Sequence, residues 1–200
     1  MNRLFAFLLA GFICLFSIPA QAALSPIGLA ILAPVQFPPR DFDITGARVS
    51  ALWGRHRQVY GLDVGGIGNF TDQDQVGVSV AGGFNSNGGP TTIIFLQAAG
   101  VTNVSSGKYK VFGIQVAGLV NYQKAESVIA GFQIAAIANY SPFAKVAGAQ
   151  VGIYNRANTV SGFQIGVVNV TEHLHGIQIG LLNFNRHGIF GVAPILNVGF

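Results

Sequence analysis

The chain has 200 residues, and its eleven Lys and Arg against seven Asp and Glu give a formal net charge of +4. Charged residues make up 9% of the sequence and hydrophobic residues 50%, whereas soluble domains usually carry about 25% charged residues. The length excludes a multidomain machine, and the 16 Phe and 5 Tyr exclude a disordered chain. The scarcity of charge predicts that part of the surface faces an apolar partner.

Residues 1–22 have the pattern of a secretory signal peptide. A basic residue stands near the start, an apolar run extends from Leu4 to Phe16, and Ala20-Gln21-Ala22 forms a small-residue cleavage site. The run is shorter than the roughly 20 residues of a spanning helix, which argues against an uncleaved anchor. We therefore expect export and a mature chain that begins at Ala23. Cleavage removes Cys14, the sole cysteine, so the mature chain has no disulfide or thiol chemistry.

Two regions follow, a Pro-rich lead at residues 23–43 and a repeat-built domain at residues 44–200. The repeated unit reads Gly, apolar, Gln, apolar, small, two or three mostly apolar residues, then Asn, and successive units start 14–18 residues apart. Clear copies start at Gly113, Gly131, Gly148, Gly162 and Gly176. Weaker copies start at Gly46, Gly61, Gly77 and Phe95. Such regular repetition indicates that one structural element recurs along the chain.

Each unit alternates with a period of two residues, which indicates a β-strand rather than a helix. Phe163 and Ile165, for example, fall on one side of their segment and Gln164 on the other. The turn-forming residues and nearly all charges lie between the units. The distance from Gly to Asn is nine positions in the early units and eight in the last three. We expect β-bulges near Ala117-Gly118 and Ala135-Ala136 to absorb this difference.

From these patterns we predict an all-β protein, an antiparallel transmembrane β-barrel of about 8–10 strands. Segments such as 111–122 and 161–170 are long enough to cross a bilayer as tilted strands. One side of each segment is apolar, the other combines a polar residue with Gly or Ala, and aromatic residues gather at the segment ends. The last ten residues resemble the terminal strand by which bacterial outer-membrane barrels are recognised, which makes Phe200 a candidate assembly signal.

The alternative fold is a β-solenoid of 14–18-residue units stacked in parallel. Stacking explains why near-identical residues recur at identical positions, since equivalent Gln and Asn side chains then form ladders. The barrel is favoured over the solenoid because a solenoid leaves the signal peptide, the terminal Phe200 and the low charge without a common cause.

Two charged residues replace the Gln of the unit, Arg48 in the first copy and Asp63 in the second. A hairpin that turns at residues 55–58 would make them diagonal neighbours on one face. An unpaired charge inside a wall is costly, so we predict an interior ion pair; a charged constriction in a lumen is the alternative. An interior Gln row is also expected, with mutual hydrogen bonds favoured over ligand recognition: Gln97, Gln115, Gln133, Gln150, Gln164 and Gln178.

The residues closest to a metal-binding pattern are His173, His175 and His187, and separately Asp72 with Asp74. The histidines lack further ligands at a suitable spacing, and the aspartates lack the Gly and Glu of a calcium loop. No nucleophile elbow, phosphate-binding loop or paired catalytic acid is present. We predict neither metal nor cofactor and no enzymatic activity. The scattered Lys and Arg exclude a nucleic-acid partner.

The repeated units, together with segments 34–39 and 59–64, resemble uncharacterised bacterial surface-repeat proteins that carry Gly-Leu-Gln-Ile-Gly-Leu-Val-Asn repeats behind a signal peptide. Segments 175–183 and 194–200 are especially similar. The resemblance covers most of the mature chain and implies a surface or envelope protein of unknown activity, without catalytic or binding residues to carry over.

The sequence as a whole predicts an outer-membrane surface-repeat protein of a Gram-negative bacterium, with a structural or interaction role that a narrow pore could accompany. Its expected partners are outer-membrane lipid and the barrel-assembly machinery. The alternative is a secreted or periplasmic β-solenoid that acts in adhesion or binding.

Overall fold

The structure is a computed structural model that describes residues 23–200. The predicted signal peptide at residues 1–22 lies outside this range. The described residues contain no helix long and apolar enough to cross a membrane. The strands are β1 (Leu24–Leu32), β2 (Val35–Phe37), β3 (Asp43–His56), β4 (Gln58–Gly65), β5 (Gly68–Thr71), β6 (Gln75–Ala81), β7 (Phe84–Asn87), β8 (Thr91–Ala99), β9 (Thr102–Ser105), β10 (Tyr109–Ala117), β11 (Val120–Gln123), β12 (Ser127–Ala135), β13 (Ala138–Val151), β14 (Tyr154–Ile165), β15 (Val168–Thr171), β16 (His173–Asn185) and β17 (Val192–Gly199).

These strands build a β-solenoid of about ten turns. Each turn consists of a longer strand followed by a shorter one, as β10 is followed by β11, and the chain then continues into the next turn. Longer strands pair in parallel with the longer strands above and below, and shorter strands do likewise. We call these arrays the long-strand stack and the short-strand stack. Strands β3, β13, β14 and β16 span both.

The all-β prediction is therefore confirmed, but the antiparallel barrel is wrong and the solenoid alternative is right. Period-two alternation is common to both folds, and it is the parallel, residue-for-residue pairing that separates them. No hairpin forms at residues 55–58, because β3 and β4 run parallel. The stacked turns enclose no lumen, since the inward side chains of the two stacks fill the space between them.

Register is kept from turn to turn by pairing of equivalent residues. Between β10 and β12 it runs unbroken from Tyr109↔Ser127 to Ala117↔Ala135. A nine-position unit meets an eight-position unit where β12 pairs with β13. Ile134 is opposite Val151 and Ala138 is opposite Tyr154, so three residues of the longer unit face two of the shorter one. The extra residue therefore lies in the turn at Ala135-Ala136 rather than in a bulge within the strand, and the strands keep the same facing.

A column of glycines runs through the long-strand stack at the first position of the repeated unit. Gly131 has φ +132 and Gly148 has φ +138, values that L side chains rarely adopt. A Cβ atom on Gly131 would also lie well inside van der Waals distance of the Gly113 carbonyl oxygen in the previous turn. The unit thus begins with glycine for two reasons, backbone conformation and close approach of the turns. Phe95 is the exception in this column, with φ 75.

Both ends of the solenoid carry strands that break the parallel pattern. At one end β1, from the Pro-rich lead, pairs in parallel with β3, while β2 pairs antiparallel with β1. At the other end β17 pairs antiparallel with β16. The lead is thus part of the solenoid rather than a separate segment. Phe200 follows β17 and is 97% exposed.

Candidate functional site

The interior holds the predicted Gln row as a single hydrogen-bonded column, the glutamine ladder: Gln97, Gln115, Gln133, Gln150, Gln164 and Gln178. From Gln115 onward, each Nε2 donates to the Oε1 of the preceding turn over 2.6–2.8 Å. All six side chains are buried. The column ends where Asn197 of β17 donates to Gln178 Oε1 over 3.1 Å. Buried amides that satisfy one another stabilise the stacking, and they are closed to a ligand from solvent.

A second column, the asparagine ladder, faces the first from the short-strand stack: Asn69, Asn85, Asn103, Asn121, Asn139, Asn155, Asn169 and Asn183. From Asn69 to Asn169, each Nδ2 donates to the Oδ1 of the following turn over 2.8–3.0 Å. It also donates to a backbone carbonyl, as Asn121 does to Ile134 over 2.8 Å. Donation therefore runs in opposite directions in the two ladders. The recurring Asn of the unit is the sequence signal for this ladder.

Arg48 and Asp63 lie in the same column as the glutamine ladder, from which Ser79 separates them. They lie opposite each other in the parallel β3–β4 pairing. Arg48 Nε and Nη2 donate to the two Asp63 oxygens over 2.7 and 2.6 Å, and Nη1 donates to the Phe70 carbonyl over 2.7 Å. Both side chains are 0% exposed. They form a closed interior pair rather than a charged constriction.

His56 is a buried titratable group beside this pair. Its Nε2 lies 3.1 Å from the Pro38 carbonyl oxygen. Burial, together with the positive charge of Arg48, lowers the pKa of His56 from 6.5 to about 4, although the Pro38 hydrogen bond opposes the shift. The imidazole is therefore neutral in the folded protein at physiological pH.

We predict that acid destabilises the fold through His56. Between pH 6.5 and 4 the unfolded chain binds a proton at this residue and the folded chain does not, so the free energy of unfolding falls as the pH falls. The full effect is about 3 kcal/mol. Urea unfolding at pH 7.5, 6 and 5 measures it, and His56→Gln should show a weaker pH dependence. Equal slopes for the two proteins would contradict the assignment.

The candidate metal ligands do not converge. The rings of His173 and His187 stack with centroids 4.4 Å apart, and Asp72 is paired with Arg40 and Arg55 over 2.7 and 2.8 Å. Residues 23–200 contain no group of three or more His, Cys, Asp or Glu side chains placed to hold a metal ion. These residues belong to a turn-lined edge of the solenoid with its own ion pairs.

The outward surface is divided sharply between apolar and charged regions. Seven of the turns from a long strand to its short strand present an exposed aliphatic residue, whereas the turn between β6 and β7 has glycine there. These residues form the apolar edge, each 41–67% exposed: Ile67, Val101, Leu119, Ile137, Ile153, Val167 and Leu181. The adjoining outward side of the long-strand stack, the apolar face, carries six more residues that are 37–52% exposed: Ile114, Phe132, Ile134, Phe163, Ile165 and Ile179.

Charged residues gather on the opposite edge, in the turns from each short strand to the next long strand. We call this the charged edge. Its ion pairs include Arg57 with Asp43 over 2.6 Å and Arg186 with Glu172 over 3.4 Å. The interior thus holds the polar ladders beside an apolar cluster that includes Ile93, Val111 and Ile129, while large apolar side chains are exposed on the outside. The apolar edge has no clear signal in the sequence, because its residues follow Gly or Ala in the turns, where polar residues are usual.

The fold defines the protein as a two-stack parallel β-solenoid. No family model, curated protein or solved structure matches the chain.

Proposed function

We propose that the protein is an exported β-solenoid of the bacterial envelope that acts by binding, and that it attaches through its apolar edge and apolar face. One observation carries the proposal. Thirteen aliphatic or aromatic side chains stand exposed in adjacent turns on one side of the molecule, and contiguous exposed apolar surface of this kind marks interaction sites. Export rests on the predicted signal peptide.

The interior supports a binding role rather than transport. The ladders occupy the space between the stacks, and their amides are committed to one another. The outward surface is therefore the part of the molecule left for recognition. Rigid stacking holds the apolar side chains in fixed columns, so little conformational entropy is lost when a partner covers them.

The test is dye binding by a variant of the apolar edge. In Leu119→Asn/Ile137→Asn/Ile153→Asn we expect the emission of a bound hydrophobic dye to fall by roughly a third to a half, because three of the seven edge residues lose their apolar surface. The matched control is Phe143→Asn, which removes a 60% exposed ring from the charged edge. Circular dichroism checks the fold of each variant. A wild-type protein that binds no dye would overturn the proposal.

A further inference from the structure

We propose that the partner of the apolar edge and apolar face is a lipid bilayer surface that carries anionic headgroups. The inference rests on the proposed binding function and names its partner. It follows from three features of the described residues: the backbone hydrogen bonding of the apolar edge, the shape of the apolar surface, and the distribution of charge around it.

Backbone N–H groups of the apolar edge are hydrogen-bonded from turn to turn, which suits contact with hydrocarbon. Leu119 N–H donates to the Val101 carbonyl over 2.8 Å, Ile137 N–H donates to the Leu119 carbonyl over 3.0 Å, and Val167 N–H donates to the Ile153 carbonyl over 2.9 Å. Turns usually leave such groups for water. In lipid an unpaired backbone group costs several kcal/mol. Pairing from turn to turn removes this cost at the Leu119, Ile137 and Val167 amides.

The shape of the surface also fits a fluid apolar medium. Turns of a parallel stack are about 4.8 Å apart, so the eight turns from Ile67 to Leu181 form a row roughly 34 Å long. Seven of these turns carry an aliphatic side chain and one carries Gly83, and none of these side chains offers a directional hydrogen bond. A protein partner is usually recognised by a central anchor in a pocket with polar groups around it. A uniform apolar row instead matches the interfacial region of a bilayer.

Charge complementarity selects anionic lipid. Lys110 and Lys145 project outward from the long-strand stack beside the apolar face, and among residues 23–200 neither forms an ion pair. The outward positions of the long strands in this range carry no Asp or Glu. The acidic residues Asp72 and Glu172 lie in the turns of the charged edge, where arginines pair with them. Glu126 lines the same groove as Lys110 and Lys145, and its carboxylate lies 3.8 Å from Lys108, so lysines outnumber it three to one there. Basic residues beside an apolar face are the arrangement that binds anionic membrane surfaces.

The single tryptophan provides a reporter. Trp53 is opposite Leu32 and Gly68 in the pairing of the first turns, and it follows Leu52 at the start of the apolar edge. Its side chain is partly exposed. Entry of this edge into lipid should shift the Trp53 emission to shorter wavelength, and brominated acyl chains should quench it.

The experiment titrates the protein with phosphatidylcholine vesicles and with vesicles that also contain phosphatidylglycerol. We expect a blue shift and tighter binding to the anionic vesicles. Lys110→Gln/Lys145→Gln should lower the affinity for anionic vesicles at least about tenfold and leave the zwitterionic affinity unchanged. The triple edge variant Leu119→Asn/Ile137→Asn/Ile153→Asn should lose binding to both. Lys124→Gln, on the short-strand side, is the matched charge control and should bind as the wild type does.

The outcomes separate this inference from the proposed function. Hydrophobic dye binding without any vesicle binding overturns the lipid partner and keeps the binding role. A lipid-free oligomer that the triple edge variant dissociates identifies a second copy as the partner and also overturns the inference. Loss of both dye and vesicle binding overturns both proposals. Anionic preference that survives Lys110→Gln/Lys145→Gln overturns the assigned basic residues.

Discussion

Gly131→Ala is expected to lower the free energy of unfolding by at least about 3 kcal/mol. Two costs combine, because Gly131 has φ +132 and its Cβ would collide with the Gly113 carbonyl oxygen of the previous turn. The β10–β12 pairing runs unbroken on both sides of this position, so the backbone cannot move without loss of the register. Urea unfolding followed by circular dichroism measures the change, and a folded yield too low for titration would agree with the prediction.

The matched control is Gly191→Ala. Gly191 precedes β17 and has no atom within 4 Å of its Cβ position, so its substitution should change stability by less than about 0.5 kcal/mol. Similar losses for the two variants would show that the glycine column has no special role. A wild-type midpoint for Gly131→Ala would contradict both the backbone conformation and the close approach of the turns.

The strand content and the repeat could be predicted because apolar and polar residues alternate with a period of two in each unit. Phe163, Gln164 and Ile165 alternate as a strand should, and the structure confirms the strand. The position of Gln164 in the interior follows from the same alternation. What alternation cannot decide is whether neighbouring strands run parallel or antiparallel, since both arrangements point successive side chains to opposite faces.

The direction of the strands is indicated by the recurrence of the same residue type at the same position of successive units. A column of amides such as Asn121 and Asn139 forms a ladder only when the strands are parallel and in register, as the 2.9 Å hydrogen bond between them shows. The low charge outweighed this signal in the sequence analysis, because apolar outward positions were assigned to a lipid-facing barrel wall. The lead lacks the Gly and Gln positions of the unit, and β1 pairs with β3 through backbone hydrogen bonds that need neither.

The backbone conformation of Phe95 could not be predicted from the sequence. The unit requires a residue with positive φ at this position, and Phe95 adopts φ 75 where its neighbours in the column are glycines. Strand β8 accommodates this with a register shift against β6 between Gly77 and Ser79. A sequence pattern marks the copy as weak, but only the stacking of turns reveals that the fold tolerates the strain.

The Arg48–Asp63 pair should be the most sensitive polar contact of the interior. Arg48→Gln leaves the Asp63 carboxylate buried without its partner, and we expect a loss of about 3–5 kcal/mol in the free energy of unfolding. The Phe70 carbonyl also loses a donor. Urea titration of the single variant measures this loss. Stability equal to that of the wild type would show that water or another side chain replaces the guanidinium.

The double variant Arg48→Gln/Asp63→Gln tests why the pair occupies this column. Both residues stand in the column that carries glutamine from Gln97 onward, with Ser79 between Asp63 and Gln97, so two glutamines could bond to each other there without a buried charge. We expect the double variant to recover most of the stability lost by Arg48→Gln, since replacing both members of a buried ion pair is often close to neutral. A double-mutant cycle gives the coupling energy between the two sites. The cycle also needs the single variant Asp63→Gln. If the losses of Arg48→Gln and Asp63→Gln simply add in the double variant, the two side chains are not coupled, and glutamine cannot replace the ion pair at these two positions.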